Sequence, residues 1–263
     1  MEERNHGNRP GRVRVVGTGP GGPEHLTPAA AAAIGAAELV VGYRTYLDLI
    51  PGLLEGKEVR ASEMMKEVDR CAEVLQLAGA GRDVALVCGG DPGIYAMAGL
   101  VYELAGGMAA PPAVEVIPGI AALNACAARL GAPLMHDFCA VSLSDLLTPW
   151  ALIEKRLTAA AMADFVIVIY NPKSKKRDWQ ITRARDLILE HRPGTTPVGI
   201  VTGATREGEK VEITSLERMT DCDITMQSTV IVGNSQTWAA DGVMVTPRGY
   251  RGKYGDRMDG LTG

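Results

Sequence analysis

The 263-residue chain carries 27 Lys and Arg against 31 Asp and Glu. The resulting charge of -4 argues against a nucleic-acid partner, which would need a concentrated basic face. Hydrophobic residues at 46% and charged residues at 22% fit a globular protein with one large core or two modest ones, and exclude a disordered or fibrous chain. No apolar run reaches the roughly 20 residues that span a bilayer. The start, Met1 to Arg14, is polar and Gly-rich without the apolar stretch of a secretory signal, so the expected location is cytoplasmic. Cys71, Cys88, Cys126, Cys139 and Cys222 are scattered and lack C-x-x-C spacing. They read as reduced, mostly buried thiols, with no metal or disulfide framework expected.

In chain order, Arg12–Val16 is a first predicted strand, followed by a glycine-rich turn. An Ala-rich helix opens at Thr27-Pro28, a hydroxyl cap with proline in the first helical position. Leu39–Val41 is a second strand, and Ser62 to about Ala78 reads as a helix capped by Ser62. The apolar strand Val84–Val87 runs into Gly89-Gly90-Asp91-Pro92-Gly93; a helix over Ile94–Ala105 and a strand over Ala113–Ile117 follow. Pro118-Gly119 is a plausible joint. Beyond it the expected elements are a small-residue helix (Ile120–Leu130), a strand (Phe138–Ser142), a helix (Pro149–Met162) and an apolar strand (Phe165–Tyr170). Then come a helix (Trp179–His191), a strand (Pro197–Val201), and hairpin-like strands at Lys210–Thr214 and Thr225–Val232. Such alternation predicts α/β lobes: residues 1–118, residues 119–245, and a loose polar tail over residues 246–263.

Glycine loops follow strands where ligands bind in open α/β sheets. Gly17-Thr18-Gly19-Pro20-Gly21-Gly22 satisfies G-x-G-x-x-G, so a dinucleotide fold has to be weighed. Glu38, the acidic residue at the right distance, precedes the second strand instead of closing it. Pro23–Leu26 also separates the glycines from the helix cap, so phosphate would lack a helix N-terminus behind the loop. In Gly89–Gly93 the backbone is open to a ligand, and Asp91 before Pro92 is biased to an extended conformation. Such a loop offers amides to a carboxylate and an acid to an ammonium, although a purely structural Asp-Pro-Gly turn fits equally well.

Taken together, VVGTGPGGPEHLT (Val15–Thr27), GGDPGIY (Gly89–Tyr95), VIPGIAALNA (Val116–Ala125), IYNP (Ile169–Pro172) and PVGIVTGATREGE (Pro197–Glu209) resemble the tetrapyrrole methylase family. The resemblance runs from about Arg12 to Trp238. Within the family, HDFCAVSLSDLLTPWALIEKRL (His136–Leu157) and YNPKSKKR (Tyr170–Arg177) are similar to the branch that methylates C17 of precorrin-3B, or of its cobalt-containing counterpart, with ring contraction in cobalamin synthesis. The resemblance implies two α/β lobes with S-adenosylmethionine in the cleft between them, and a homodimer. By motif position it implies cofactor contacts at Pro20, Gly89, Gly90, Asp91, Ile94, Ala121, Ala122, Asn171 and Ala204. Relatives carry Thr or Ser at the Ala121 position, Met at Asn171 and Gly at Ala204; backbone contacts survive such changes.

Where uroporphyrinogen methylases have Tyr-Asp-Arg, this chain has Gly42-Tyr43-Arg44, so the carboxylate role is not carried over. Tyr43 is a candidate proton shuttle or a rim tyrosine packing on substrate. His136 is a candidate acid–base group or a hydrogen-bonded structural histidine. A substrate rimmed with carboxylates calls for cations, for which Arg44, Lys173, Lys175, Lys176, Arg177 and Arg206 are candidates. The alternatives are a methyltransferase of the same fold acting at another precorrin position or on RNA or protein, and a non-catalytic corrinoid-binding protein.

Overall fold

The computed structural model describes residues 11–63, 65–174 and 177–259. The chain divides into two compact units, Met1–Ala122 and Leu123–Gly263.

The first unit runs β1 (Arg12–Gly17), α1 (Pro28–Ala36), β2 (Leu39–Tyr43), α2 (Arg44–Leu47), α3 (Pro51–Leu54), β3 (Glu58–Ser62), α4 (Glu67–Gly79), β4 (Val84–Cys88), α5 (Ala98–Gly106) and β5 (Ala113–Ile117). Its five strands form one parallel sheet in the order β3-β2-β4-β1-β5. The central β4 is apolar throughout and every residue is buried, as a strand covered on both faces requires. Val13, Val15, Val41 and Leu86 pack toward α4 and α5. Val16, Val40, Ala85 and Val87 pack toward the alanines of α1. The Thr27 hydroxyl caps α1 by accepting from the Ala30 N–H at 3.1 Å.

Two boundaries depart from the sequence reading. Ser62 caps no helix: it closes β3 and donates to the Gly42 carbonyl at 3.3 Å, while α4 begins at Glu67. β3 is polar and exposed, held by pairing with β2 and not by its own apolar pattern. The helix expected from Ile94 starts at Ala98, because Tyr95 adopts φ +52° and the Ala98 N–H reaches back to the Pro92 carbonyl at 3.0 Å.

The second unit runs α6 (Ala122–Leu130, opening at the division), β6 (Gly131–Ala132), β7 (Phe138–Ser142), α7 (Trp150–Met162), β8 (Val166–Tyr170), α8 (Trp179–Leu189), β9 (Pro197–Thr202), β10 (Lys210–Ser215), β11 (Ser228–Val232), β12 (Trp238–Ala240), β13 (Val243–Val245) and α9 (Tyr250–Asp259). Its main sheet has the order β10-β9-β11-β8-β7. β7 and β8 are parallel, joined through α7, whereas β11 is antiparallel to both β8 and β9. The core lies between this sheet and α7 and α8, centred on Ile153, Leu157, Ile167, Ile169 and Ile188. Beyond Thr246, where the sequence reading expects a loose tail, Thr246 itself is fully buried and bonded to Thr237, and α9 follows.

All five cysteines are free thiols. Burial raises the Cys71, Cys88 and Cys126 thiols from 9.0 to about 11, 12 and 11 respectively. An acid whose folded pKa is raised keeps its proton longer in the folded state than in the unfolded one. Each thiol therefore withdraws stability as pH climbs from 9 toward 11–12. The expected outcome is a melting temperature that falls above pH 9, with Cys71, Cys88 and Cys126 resisting iodoacetamide at pH 8 until the chain is unfolded. Ready native-state labelling of these three would contradict that placement.

Candidate methyl-donor and tetrapyrrole site

In the first unit the loops after β1, β4 and β5 leave the same carboxyl edge of the sheet, because those strands are adjacent and in register (Gly17 opposite Cys88, Val16 opposite Ile117). Their backbones touch. Gly19 and Gly90 exchange hydrogen bonds at 3.2 and 2.7 Å, and the Thr18 N–H and hydroxyl both donate to the Cys88 carbonyl, at 2.8 and 3.0 Å. A Cβ on Gly119 would stand 2.2 Å from the Gly90 oxygen, and one on Gly17 would stand 2.7 Å from the Gly119 nitrogen. These glycines are therefore required by close approach of three backbones, not by turn conformation alone.

Asp91 fastens the assembly. One carboxylate oxygen accepts from the Gly93 N–H at 2.8 Å and the other from the Gly119 N–H at 3.2 Å, so it spans the second and third loops. Each oxygen keeps a lone pair for a further donor. The structural and ligand-binding readings of this turn are thus compatible. Pro20, Gly90 and Ala121 are buried, whereas Gly89, Asp91, Ile94 and Ala122 are half-buried around the same loops. Tyr43 ends β2 beside this edge, its ring edge-on to Tyr46 with centroids 5.5 Å apart. Tyr46, which the sequence reading passed over, lies under Gly89 so closely that a Cβ there would come within 2.4 Å of its ring. Arg44 is exposed next to Tyr43.

In the second unit Asn171 follows β8 and Ala204 follows β9, and these strands point the same way because both are antiparallel to β11. Asn171 adopts φ +50° and its amide donates to the Ser142 hydroxyl at the end of β7, at 3.0 Å. Ala204 is buried between Gly203 (φ +62°) and Thr205 (φ +64°). Glu209 holds that turn, accepting from the Thr205 N–H and from Arg129 Nε at 2.9 Å. Arg206 is half-buried on the same turn. Tyr95, Asn171 and Thr205 are non-glycine residues in left-handed conformations. Each costs on the order of 1–3 kcal/mol for a bulky or branched side chain, less for Asn, and such strain gathers at functional loops. Tyr46 lies outside every motif of the sequence reading, and Ser142 and Glu209 lie inside such stretches without being singled out there as site residues.

Two candidates are repositioned. His136 precedes β7, at the amino end of the strand, whereas Ser142 and Asn171 mark the carboxyl end, about 15–20 Å away by strand rise. Its Nδ1 accepts from the Asp137 N–H at 2.7 Å and the residue is exposed, so within this unit it stands apart from the edge marked by Ser142 and Asn171. Arg177 is half-buried, and desolvation lowers its pKa. It donates to the Leu143 carbonyl at 3.0 Å and to the Asn171 carbonyl, so it secures the segment that carries Lys173. Lys173 is exposed, and Lys175 and Lys176 lie outside the described residues. Among the described residues no group of three His, Cys, Asp or Glu could hold a metal ion.

The model of the family of Tetrapyrrole (Corrin/Porphyrin) Methylases matches residues 12–220, well over half of the chain. The chain belongs to that family. A cobalt-factor III methyltransferase of Priestia megaterium is 50% identical over 93% of this chain, which spans 46% of that longer relative. A probable cobalt-factor III C(17)-methyltransferase of Salmonella typhimurium is 49% identical over 90% of this chain and 99% of its own length. A precorrin-3B C(17)-methyltransferase of Sinorhizobium is 43% identical over 92% and 98%. Among solved structures, the methyltransferase CobJ superposes with a TM-score of 0.85 at 36% identity, covering 90% of this chain and 100% of that one. A Thermus thermophilus uroporphyrin-III C-methyltransferase complexed with S-adenosylhomocysteine superposes with a TM-score of 0.64 at 26% identity, covering 85% and 92%.

Proposed function

We propose that the chain is an S-adenosylmethionine-dependent methyltransferase that methylates C17 of precorrin-3B or cobalt-factor III, with the associated ring contraction, in cobalamin biosynthesis. The observation that carries this is the 49% identity to the Salmonella cobalt-factor III enzyme over 99% of that protein, joined to a glycine-loop edge of the matching kind. Cobalt-factor III enzymes at 50%, 49% and 40% identity bracket the precorrin-3B enzyme at 43%, so the reading covers both substrates. Within the family, RNA or protein substrates find no comparable support.

The residues at the first unit's edge fit the methyl donor. Small side chains (Ala121, Ala122) and the apolar Ile94 lie around these loops, and Asp91 retains acceptor capacity for an ammonium. When bound, S-adenosylmethionine supplies a methyl group already activated on its sulfonium. The chain's task is then chiefly alignment, worth on the order of 7–11 kcal/mol. Asp91, Gly89 and Gly90 hold and orient the donor, with Pro20, Asn171 and Ala204 as further contacts by motif position. Arg44, Lys173 and Arg206 engage the substrate's peripheral carboxylates, assisted by Lys175 and Lys176. Tyr43, its ring edge-on to Tyr46, is the residue we assign to proton movement during contraction. The enzyme works in the cytoplasm as a homodimer, and five free thiols agree with a reducing compartment.

Calorimetry with S-adenosylhomocysteine tests the donor site. The wild-type chain is expected to bind it at micromolar levels. Asp91→Asn should weaken it about tenfold or more, since hydrogen bonds to a charged group are worth about 1.5–3 kcal/mol. Unchanged affinity in the variant would remove Asp91 from the site, and no wild-type binding would remove the methyltransferase reading.

A further inference from the structure

Arg70, in α4, is 5% exposed. Among the described residues its guanidinium bonds neutral groups: the Ser62 hydroxyl through Nε, the Glu63 carbonyl through Nη2 at 2.9 Å and the Met97 sulfur through Nη1 at 3.9 Å. Desolvating a guanidinium for such acceptors is costly, and an apolar side chain of similar volume would avoid that cost. An apolar side chain could not, however, hold the end of β3. Ser62 is the last residue of that strand, and its hydroxyl accepts from Arg70 while donating to the Gly42 carbonyl at 3.3 Å.

Gly42 leads into Tyr43 and Arg44. β4 pairs with β2 only as far as Gly42, so Tyr43 is held by pairing on one side alone, opposite Ser62. Ser62 is thus both the pairing partner of Tyr43 and the hydroxyl on the carbonyl before it. β3 is exposed from Glu58 to Ala61 and offers little packing of its own, so its carboxyl end is anchored to α4 by Arg70. The donor loop is fastened separately, by Asp91 to Gly93 and Gly119 and by the bonds between Gly19 and Gly90. Arg70 reaches that region only through Met97, whose thioether is a weak acceptor.

We propose that Arg70 is a positioning residue for the tetrapyrrole reaction: acting through Ser62, it fixes the Tyr43-Arg44 corner at the carboxyl edge of the first unit's sheet. The inference rests on the roles given above to Tyr43 and Arg44, and adds the two residues that set them in place. Neither Arg70 nor Ser62 has to touch substrate; their effect passes through the Gly42 carbonyl and the pairing of Tyr43.

The test measures steady-state kinetics with cobalt-factor III and precorrin-3B, using whichever the wild-type chain methylates, beside calorimetry with S-adenosylhomocysteine. Ser62→Ala should lower kcat/KM for the tetrapyrrole about three- to tenfold, the range that one hydrogen bond supports. Its affinity for S-adenosylhomocysteine should stay unchanged, a split that general loosening of the unit would not produce. Ser62→Thr keeps the hydroxyl and should recover most of the loss. Arg70→Lys cannot serve Ser62 and Glu63 together, so it should behave like Ser62→Ala, and the double variant should be no worse than either single one. Wild-type kinetics in Ser62→Ala and Arg70→Lys, beside an impaired Arg44→Ala, would overturn the inference and leave the role of the corner standing. Donor affinity falling in step with kcat/KM would overturn it too, by reducing Arg70 to a brace of the whole unit. Wild-type kinetics in Arg44→Ala and Tyr43→Phe as well would strike the reading of the corner, and the inference with it. A wild-type chain that methylates neither compound would strike the substrate reading on which both depend.

Discussion

Gly119→Ala is expected to lower the melting temperature by roughly 6–12 °C and to weaken S-adenosylhomocysteine more than tenfold. The added Cβ would stand 2.2 Å from the Gly90 oxygen and 2.8 Å from the Gly17 backbone. None of these three can move freely. Gly17 is pinned in β1 by its pairing with Cys88, Gly90 by its paired bonds to Gly19, and Gly119 by Asp91. Overpacking of this kind costs about 3 kcal/mol at the upper end of its usual range, and a chain of this size loses about 2–4 °C per kcal/mol. Gly99→Ala is the internal control. Gly99 lies in α5 with open space around the new Cβ, so the variant should melt at or slightly above the wild-type temperature. Thermal scans of both variants decide the matter: equal, unperturbed melting would refute the three-backbone contact.

Arg192→Leu is expected to be the most damaging single change in the second unit. Arg192 is 5% exposed and its guanidinium donates to the carbonyls of Ala160 (3.2 Å), Phe165 and Gly233, joining the end of α7, the start of β8 and the segment after β11. Burial lowers its pKa, but the group stays charged and meets carbonyl oxygens without a carboxylate partner bonded to it. Removing it takes the guanidinium from the Phe165 and Gly233 carbonyls, at about 1–3 kcal/mol each, while Ala160 keeps the Phe165 N–H at 3.1 Å, so a loss of about 2–5 kcal/mol and roughly 10 °C is expected. Arg192→Lys should recover only part of this, because one ammonium cannot reach three carbonyls in the planar fan that guanidinium offers. Chemical denaturation of the two variants gives the comparison, and a near-native midpoint for Arg192→Leu would show that the carbonyls find other partners.

Much of the first unit could be read directly from its residues. β4 is an unbroken apolar run leading into Gly89, β2 opens with Leu39-Val40-Val41, and Thr27-Pro28 announces its helix through chemistry that acts within four residues. β3 could not be read this way. Val59 and Ala61 share one face of EVRAS but stay exposed, so no buried pattern marks it, and pairing with β2 makes it a strand. The same contrast holds at the candidate site. Asp91 and the glycines are visible because they act through local backbone geometry, whereas Tyr46 and Ser142 matter through contacts made by folding. For His136 the sequence could not show strand direction, which sets it at the amino end of β7 and not at the end that carries Ser142. Arg192 had no motif at all, since a buried arginine bonded to distant carbonyls leaves no local signature.

The most direct measurement supplies S-adenosylmethionine with an isotopically labelled methyl group together with either precorrin-3B or cobalt-factor III, and follows the tetrapyrrole by mass spectrometry and carbon NMR. One labelled methyl appearing at C17 of at least one of the two compounds, with stoichiometric S-adenosylhomocysteine, is the predicted result. A chain that binds S-adenosylhomocysteine but labels neither tetrapyrrole, or that labels a ring position other than C17, would contradict it.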